Sequence, residues 1–431
     1  MNPTTLSLED TDVVATLSAT ATSRRAGFYE KLVMSTLRSF PVGGLRMALP
    51  DGREHRLGNA DGMPPLEMRV HNLEFFRQCA LFGNIGFGES YVHGDWDAED
   101  VAGVITWFIQ NIHATQGSRA SSTRLRGMNL LKFYNRALHL LRPNSLKTSR
   151  RNIAEHYDLG NDFYSLWLDR TMTYSAARFE HPGQPLEEAQ FSKYEALCQK
   201  LELKATDHVL EIGCGWGGFC THAAREYGCR VTAVTISQEQ HKYATERVKK
   251  EGLDHLVEIR LQDYRLVTGQ FDKIASIEML EAVGEAYVNG YFAKCHELLK
   301  PEGLLAFQVI TVPDCRYKNL VQGVDWIQKH IFPGSLLLSM ARVNEAINKT
   351  GDLFLHGLED LGAGYAKTLR LWFERFNERL DEVKALGFDE TFIRKWNYYL
   401  QYCEAAFATR NISVVQAVYT RPNNVLLHRT W

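Results

Sequence analysis

Two carboxylates, Glu278 and Glu281, stand three residues apart in the stretch SIEMLEAVG (276–284), among apolar neighbours and where a strand-like run, FDKIASIEM, comes to its end. Acids in such a place can act as a base or hold an ion in an active site. They can equally face water at the start of the following helix, and residue types alone leave both readings open. A second candidate lies upstream, in EIGCGWGG, where Gly213, Gly215, Gly217 and Gly218 follow an apolar run directly. Glycines there permit a tight turn and let a ligand approach the backbone at the carboxyl edge of an open α/β sheet. A dinucleotide site would show G-x-G-x-x-G and an acid at the end of the second strand. Here the spacing differs, and Thr235 in TISQEQ stands where that acid would be.

The elements that must carry these residues are legible as an alternation. HVLEIGC (208–214), RVTAVTI (230–236), VEIRLQD (257–263), FDKIASIEM (271–279) and GLLAFQVITV (303–312) are short β-branched apolar runs. Helical stretches such as GGFCTHAAREYG and SQEQHKYATERVKKEG separate them. Strands alternating with helices predict an α/β fold with a parallel, doubly wound sheet. After residue 312 the alternation breaks. Residues 313–363 read as an insertion covering the ligand end of the sheet, followed by helices near 365–384 and 390–409 and a last strand, ISVVQAVYTR.

Composition fits a soluble globular chain, and a length of 431 residues suits about three domains or, equally, one large domain with a smaller partner: 45% hydrophobic, 23% charged, formal net charge −2. The N-terminal MNPTTLSLED lacks the basic and apolar regions of a secretory signal, so a cytoplasmic location is expected. No apolar run approaches the roughly 20 residues that span a bilayer. The eight cysteines lack the paired C-x-x-C spacing of a zinc site and read as reduced thiols; no metal is expected. The net charge conceals an uneven distribution. Between Val101 and Ala154 there is no Asp or Glu, while Arg119, Arg124, Arg126, Lys132, Arg136, Arg142, Lys147, Arg150 and Arg151 are all cationic. Within this block, RLRGMNLLKFYNRALHLLRP has near-helical apolar spacing, and a basic amphipathic helix favours an anionic surface. The competing reading is a linker helix packed on its own domain. No nucleic-acid module is discernible.

Taken in order, EHYDLGNDFYSLWLD, MTYSAARF, VLEIGCGWGGF, VTISQEQ, LQDY, SIEMLEAVG, IFPG and GYAKTLRLWFERF resemble the cyclopropane-fatty-acyl-phospholipid synthases over about residues 152–421, and FGNIGFGESYVHGDWDAED (82–100) resembles their N-terminal domain. The resemblance implies a methyltransferase-type, Rossmann-like sheet, S-adenosylmethionine as cofactor, and a cis-unsaturated acyl chain in a membrane phospholipid as substrate. By the same resemblance Tyr174 and Ser175 contact the methionine end of the cofactor, and Gly213 and Gly215 form the turn beneath it. Thr235, Ile236, Ser237 and Gln240 frame the ribose, and Asp263 and Tyr264 lie by the adenine. Ser237 and Gln240 also have the spacing of a helix cap.

An alkene is a weak nucleophile, and methyl transfer to it leaves a cation that water would destroy, so the site must be dry and must contain a base. Members of the family hold a bicarbonate ion as that base. Glu281 matches the acid that holds it, with Tyr365, Gln308 and the backbone N–H groups of Ile310 and Ala176 completing the set, while Glu278 is expected to line the cofactor pocket. The sequence departs from the family here: Ala176 replaces the usual cysteine of TYSCA, Gln308 the usual histidine of the fifth strand, and Ala282 the histidine of EHVG. The implied product is a cyclopropane fatty acid, with a methyl or methylene branch as the alternative outcome and a catalytically silent lipid binder as the third. The expected organisation is a lipid-facing domain over 1–145, including the basic segment 119–151, and a methyltransferase domain over 146–431. The chain is expected to associate peripherally with the anionic inner face of a membrane; a homodimer is left open.

Overall fold

A computed structural model of the chain describes residues 27–60, 62, 64–116, 159–425 and 427. The basic segment 119–151 lies outside these residues. The described chain forms two compact units, and residues 390 to 398 belong to the first of them although they come late in sequence. The boundary expected from sequence, a single cut near residue 145, cannot capture that return of the chain.

The first unit is built on a four-stranded sheet in the order β2-β1-β3-β4. Its strands are β1 (Gly43–Ala48), β2 (Glu54–Asn59), β3 (Leu66–Val70) and β4 (Trp96–Ala98). The β1–β2 hairpin turns through Pro-Asp-Gly, residue types that favour a tight turn, and the Leu49 N–H closes it on the Arg53 carbonyl at 2.8 Å. Leu45, Met47, Met68 and Trp96 are buried beneath the helices Glu74–Phe82 and Val101–Gln116. From the late segment, Arg394 donates to the carbonyls of Tyr91 and Trp96 and to Asp97 at 2.7, 3.1 and 2.8 Å, which ties residues 390–398 into this unit.

The second unit carries a seven-stranded sheet. Its strands are β5 (His208–Ile212), β6 (Arg230–Thr235), β7 (Val257–Leu261), β8 (Phe271–Ile277), β9 (Leu299–Thr311), β10 (Phe354–Asp360) and β11 (Ser413–Thr420), in the order β10-β11-β9-β8-β5-β6-β7. All neighbours are parallel except at β11, which runs antiparallel to both β9 and β10. Helices cover both faces. Phe292, Leu298, Phe307 and Tyr419 are buried on one, and Tyr194, Leu197, Phe219 and Val231 on the other. A strand buried on both faces needs apolar side chains at every position, which is why β9 reads as a continuous run, LLAFQVIT, with Gln308 its single amide.

The five strands expected from sequence are present with slightly different ends. β9 starts earlier than expected and includes Pro301, accommodated where the pairing with β8 shifts register between Phe271 and Lys273. The expected insertion, 313–363, is only partly one. Its first part forms the helices Asp314–Val321, Trp326–His330 and Met340–Thr350, but Phe354–Asp360 is the edge strand β10 of the main sheet. An edge strand contacts the core through few side chains, and Phe354, Leu355 and Leu358 are exposed, so FLHGLED shows no clean alternation to read. No helix among the described residues is long and apolar enough to cross a membrane.

Candidate active site

The glycine turn lies at the carboxyl end of β5, pinned by the Gly213 and Cys214 N–H groups donating to the Val234 carbonyl at 2.9 and 3.1 Å. Gly213 has φ 85°, and a Cβ there would meet Met279 Cγ at 2.8 Å, so the turn and the acid-bearing segment after β8 are packed on one another. Gly215 has φ 52°, and a Cβ built on it would find no atom within 4 Å. That open approach to the backbone is what a bound cofactor requires, and the residues around it fit S-adenosylmethionine.

Beside the turn, Thr235 Oγ1 donates to Gln240 Oε1 at 2.9 Å, and the Ser237 hydroxyl caps the helix Gln238–Lys250 by accepting from the Gln240 N–H at 3.3 Å. The capping role is thus present in the same residues that the resemblance assigns to the ribose. Ile236 lies between them, partly exposed. Asp263 accepts from Arg265 Nε and Nη2 at 2.8 and 2.6 Å, and Tyr264 packs edge-on against Tyr291. Ser175 is buried and accepts from Lys193 Nζ at 2.7 Å. Burial lowers the Lys193 ammonium to about 7, against the opposing pull of Glu278, Asp169 and Glu211. Tyr174 donates or accepts across to the Tyr399 hydroxyl at 2.8 Å and lies among the rings of Tyr164, Trp167 and Trp372. Phe163, Tyr164 and Trp167 are completely buried. The Cys214 thiol is buried and held far from ionisation by that burial, as befits a small filler in the turn.

The two acids divide the expected anion set between them. Glu278, not Glu281, sits at its centre: Oε1 accepts from the Ala176 N–H at 2.8 Å and from Gln308 Nε2 at 2.7 Å, and Oε2 accepts from the Tyr365 hydroxyl at 2.8 Å. Glu281 Oε1 accepts from the Ile310 N–H at 2.6 Å, while its buried Oε2 has no hydrogen-bond partner among the described residues. Three of the groups expected around an exogenous anion are therefore engaged by a carboxylate of the chain itself. Glu278 holds φ 48°, a left-handed conformation costly for a side chain with a Cβ, and it is this turn that follows β8 and precedes the Met279 contact with Gly213.

Burial raises the Glu278 carboxyl, opposed by its donors Gln308 and Ala176, by Lys193 and by Tyr365. Burial also pushes Glu281 up to about 8, with the charge of Glu278 adding to it and the Ile310 N–H opposing. Two carboxyls so placed titrate as a pair, each one's charge raising the other.

The assembly is that of an S-adenosylmethionine-dependent methyltransferase: a seven-stranded sheet with one reversed strand, a glycine turn open to a ligand, and a buried carboxylate beside it. Comparison with known proteins narrows the class. The family model described as mycolic acid cyclopropane synthetase matches residues 144–417, and the chain belongs to that family. It is 38% identical to a tuberculostearic acid methyltransferase of Mycobacterium tuberculosis, over 91% of this chain and 90% of that one. It is 36% identical to the cyclopropane-fatty-acyl-phospholipid synthase of Escherichia coli strain K12, over 87% of this chain and 95% of that one. Among solved structures, a cyclopropane synthase from Mycobacterium tuberculosis is 30% identical with a TM-score of 0.59, covering 63% of this chain and 98% of its own. A mycolic acid cyclopropane synthase complexed with SAH and CTAB is 28% identical with the same TM-score, 0.59, and covers 63% of this chain and 98% of its own.

Residues that the sequence did not single out also reach the site. Lys193 is one. Gln416 is another, buried on β11 with its Nε2 donating to Gln308 Oε1 at 3.1 Å. The available signal was an isolated glutamine in each of two apolar strands, AFQVI and VVQAV, a pattern that marks buried amides needing partners.

Proposed function

We propose that the protein transfers a C1 unit from S-adenosylmethionine to the cis double bond of an unsaturated acyl chain in a membrane phospholipid, using Glu278 as its base, and that it forms a methylene branch in preference to a cyclopropane ring. The observation that supports this reading is the engagement of Ala176 N–H, Gln308 Nε2 and Tyr365 OH by the Glu278 carboxylate. These are groups that the family resemblance assigns to bicarbonate. A carboxylate already there replaces the ion in charge and in acceptor geometry.

The cofactor supplies an electrophilic methyl group when bound, and Tyr174, Ser175, Gly213, Gly215, Thr235, Ile236, Ser237, Gln240, Asp263 and Tyr264 are the residues that would hold it. The chain's own residues do the rest. The buried rings around Tyr174 exclude water from the alkene, which takes the methyl on one carbon and leaves the positive charge on the next. A hydride moving from the methylated carbon to the cationic one yields the more stable tertiary cation. Glu278 then removes a proton from the new methyl, and the electrons of that C–H bond form the double bond between the chain carbon and the resulting methylene. Three donors draw on the lone pairs of Glu278 against the burial that raises its carboxyl, and the branch forms where the hydride shift precedes proton removal. Direct proton removal before the shift would close a cyclopropane instead. Both outcomes add one CH₂; a saturated methyl branch would require a two-electron reductant acting afterwards.

Docking on the anionic inner face of a membrane through segment 119–151 belongs to the same proposal, resting on its nine cations and absent acids. The function test is product analysis: protein, S-adenosylmethionine and vesicles of a monounsaturated phospholipid, with and without bicarbonate, read by mass spectrometry and proton NMR. Vinylidene protons formed at a rate indifferent to bicarbonate support the reading. Cyclopropyl protons would replace the branch with a ring, and bicarbonate dependence would remove Glu278 as the base.

A further inference from the structure

Beyond the carboxylate, a line of polar side chains crosses the sheet on one face. β8, β9, β11 and β10 place Ile277 opposite Gln308, Gln308 opposite Gln416, and Gln416 opposite Glu359. Paired positions share a face, so these side chains meet in sequence across neighbouring strands. Gln308 Nε2 donates to Glu278 and, at 3.2 Å, to the Ala176 carbonyl; Gln416 Nε2 donates to Gln308 Oε1; and Lys200 Nζ donates both to Gln416 Oε1 and to Glu359 Oε2. Glu359 is held in turn by Arg178 Nε at 2.9 Å, and Arg178 reaches Glu180 at 2.8 Å. Gln308 and Gln416 are buried, while Lys200, Glu359 and Arg178 are partly exposed.

The line has a direction. An ammonium can only donate, so Lys200 compels Gln416 to present its oxygen outward and its nitrogen inward. Gln308 must then accept from Gln416 and turn its own nitrogen toward Glu278. With the opposite amide orientation, Gln308 Oε1 would face Glu278 Oε1 and the Ala176 carbonyl, three acceptors together, and only a protonated Glu278 could satisfy it. A protonated Glu278 is not a base.

Resting on the reading of Glu278 as the base, we propose that Lys200, acting through Gln416, is a positioning residue that fixes the orientation of the Gln308 amide and thereby keeps the Glu278 carboxylate ionised. Glutamine amides do not readily pass protons along, so the line orients and does not conduct. Secondary anchors exist, since Gln416 Nε2 also donates to the Lys193 carbonyl at 3.4 Å. The charged and titratable groups that bear on the ends are Glu359 and Arg178 about Lys200, and Lys193, Glu281 and Tyr365 about Glu278.

The test compares the wild type with Gln416→Glu, Lys200→Met, Lys200→Arg and Glu278→Gln, each in the full chain. kcat is measured against pH on monounsaturated phospholipid vesicles at saturating S-adenosylmethionine, and S-adenosylhomocysteine affinity is measured by calorimetry as a check on folding. Gln416→Glu puts an acceptor where Gln308 needs a donor, and should move the rising limb of the kcat profile up by about one pH unit, equivalent to a roughly tenfold loss on the acid side. Lys200→Met should shift the limb in the same direction, Lys200→Arg should restore it, and cofactor-product affinity should stay unchanged in all three. If Glu278→Gln abolishes turnover while the limb of the Gln416 and Lys200 variants stays in place, the positioning role is wrong and the base reading stands. If Glu278→Gln keeps wild-type turnover, both fall together. Should Gln416→Glu fail to bind S-adenosylhomocysteine, the Lys200 pair decides alone: a limb shifted in Lys200→Met and restored in Lys200→Arg supports the role, and an unshifted limb overturns it.

Discussion

On the proposed reading of Glu278 as the base, replacing it by glycine removes that base and, in the same step, empties an anion cradle, which makes the loss repairable from solution. Three donors lose their acceptor: the Ala176 N–H at 2.8 Å, Gln308 Nε2 at 2.7 Å and the Tyr365 hydroxyl at 2.8 Å. Leaving each unsatisfied costs about 1–3 kcal/mol. Glycine at φ 48° recovers about 1–2 kcal/mol of left-handed backbone strain. The variant should therefore be destabilised by roughly 1–8 kcal/mol, less whatever desolvation the buried carboxylate had itself incurred. Turnover should fall by about 10²- to 10⁴-fold, the usual contribution of a general base. Bicarbonate, formate or acetate has the charge and the acceptor atoms to occupy the same donors. An anion at about a hundred times its Kd should return about 2.7 kcal/mol of stability, visible as a raised Tm in differential scanning fluorimetry at constant ionic strength, with chloride as the control. The same anions should restore methyl transfer to the vesicles in the glycine variant and leave the wild type unaffected. A Glu278→Gly protein that turns over normally without added anion, or that gains no Tm from bicarbonate, would refute the assignment of this cradle.

Three other outcomes are expected. Glu281 has a folded-state pKa raised to about 8 from an ordinary 4.5, chiefly by burial, so its contribution to stability is complete below about 4.5 and is lost as pH rises through about 8. At about 1.4 kcal/mol per unit the limit is on the order of 5 kcal/mol, and Glu281→Gln should flatten the decline of Tm between those pH values, a result that an equally steep variant would contradict. Gly215→Val puts a branched side chain at φ 52° into the open approach to the turn, and calorimetry should find S-adenosylmethionine binding abolished in a variant whose circular dichroism is unchanged. Changing Arg124, Arg126, Lys132 and Arg136 together to glutamine should weaken co-sedimentation with anionic vesicles, in the manner of added salt, without changing cofactor affinity; undiminished sedimentation would remove the docking role of that segment.

Strands β5, β6, β8 and β9 were readable because doubly buried strands must be apolar throughout, and the edge strand β7 because Val257, Ile259 and Leu261 alternate with Glu258 and Arg260. β10 was not, because an edge strand with exposed Phe354, Leu355 and Leu358 lacks the burial that writes a pattern. The residues of the site were legible by kind, but their grouping was not. Glu278 and Tyr365 are separated by 87 positions and Glu278 and Ala176 by 102, so which of two neighbouring acids meets them is decided by the backbone after β8. A left-handed residue there redirects the side chain of Glu278 toward the donors and leaves Glu281 to the Ile310 N–H. Nothing in SIEMLEAVG announces that division of the donors between the two acids, because glutamate rarely adopts this conformation and sequence patterns carry no sign of φ.

That backbone conformation also has a genetic consequence. Glutamate and glycine codons can differ in their middle base alone, and φ 48° is a conformation that glycine enters without penalty. If Glu278 is the base, as proposed, a single transition at position 278 would thus separate a chain that carries its own base from one whose rate follows the carbonate chemistry of its surroundings. On the proposed function, the difference for an organism is whether lipid modification keeps pace when dissolved carbon dioxide is scarce.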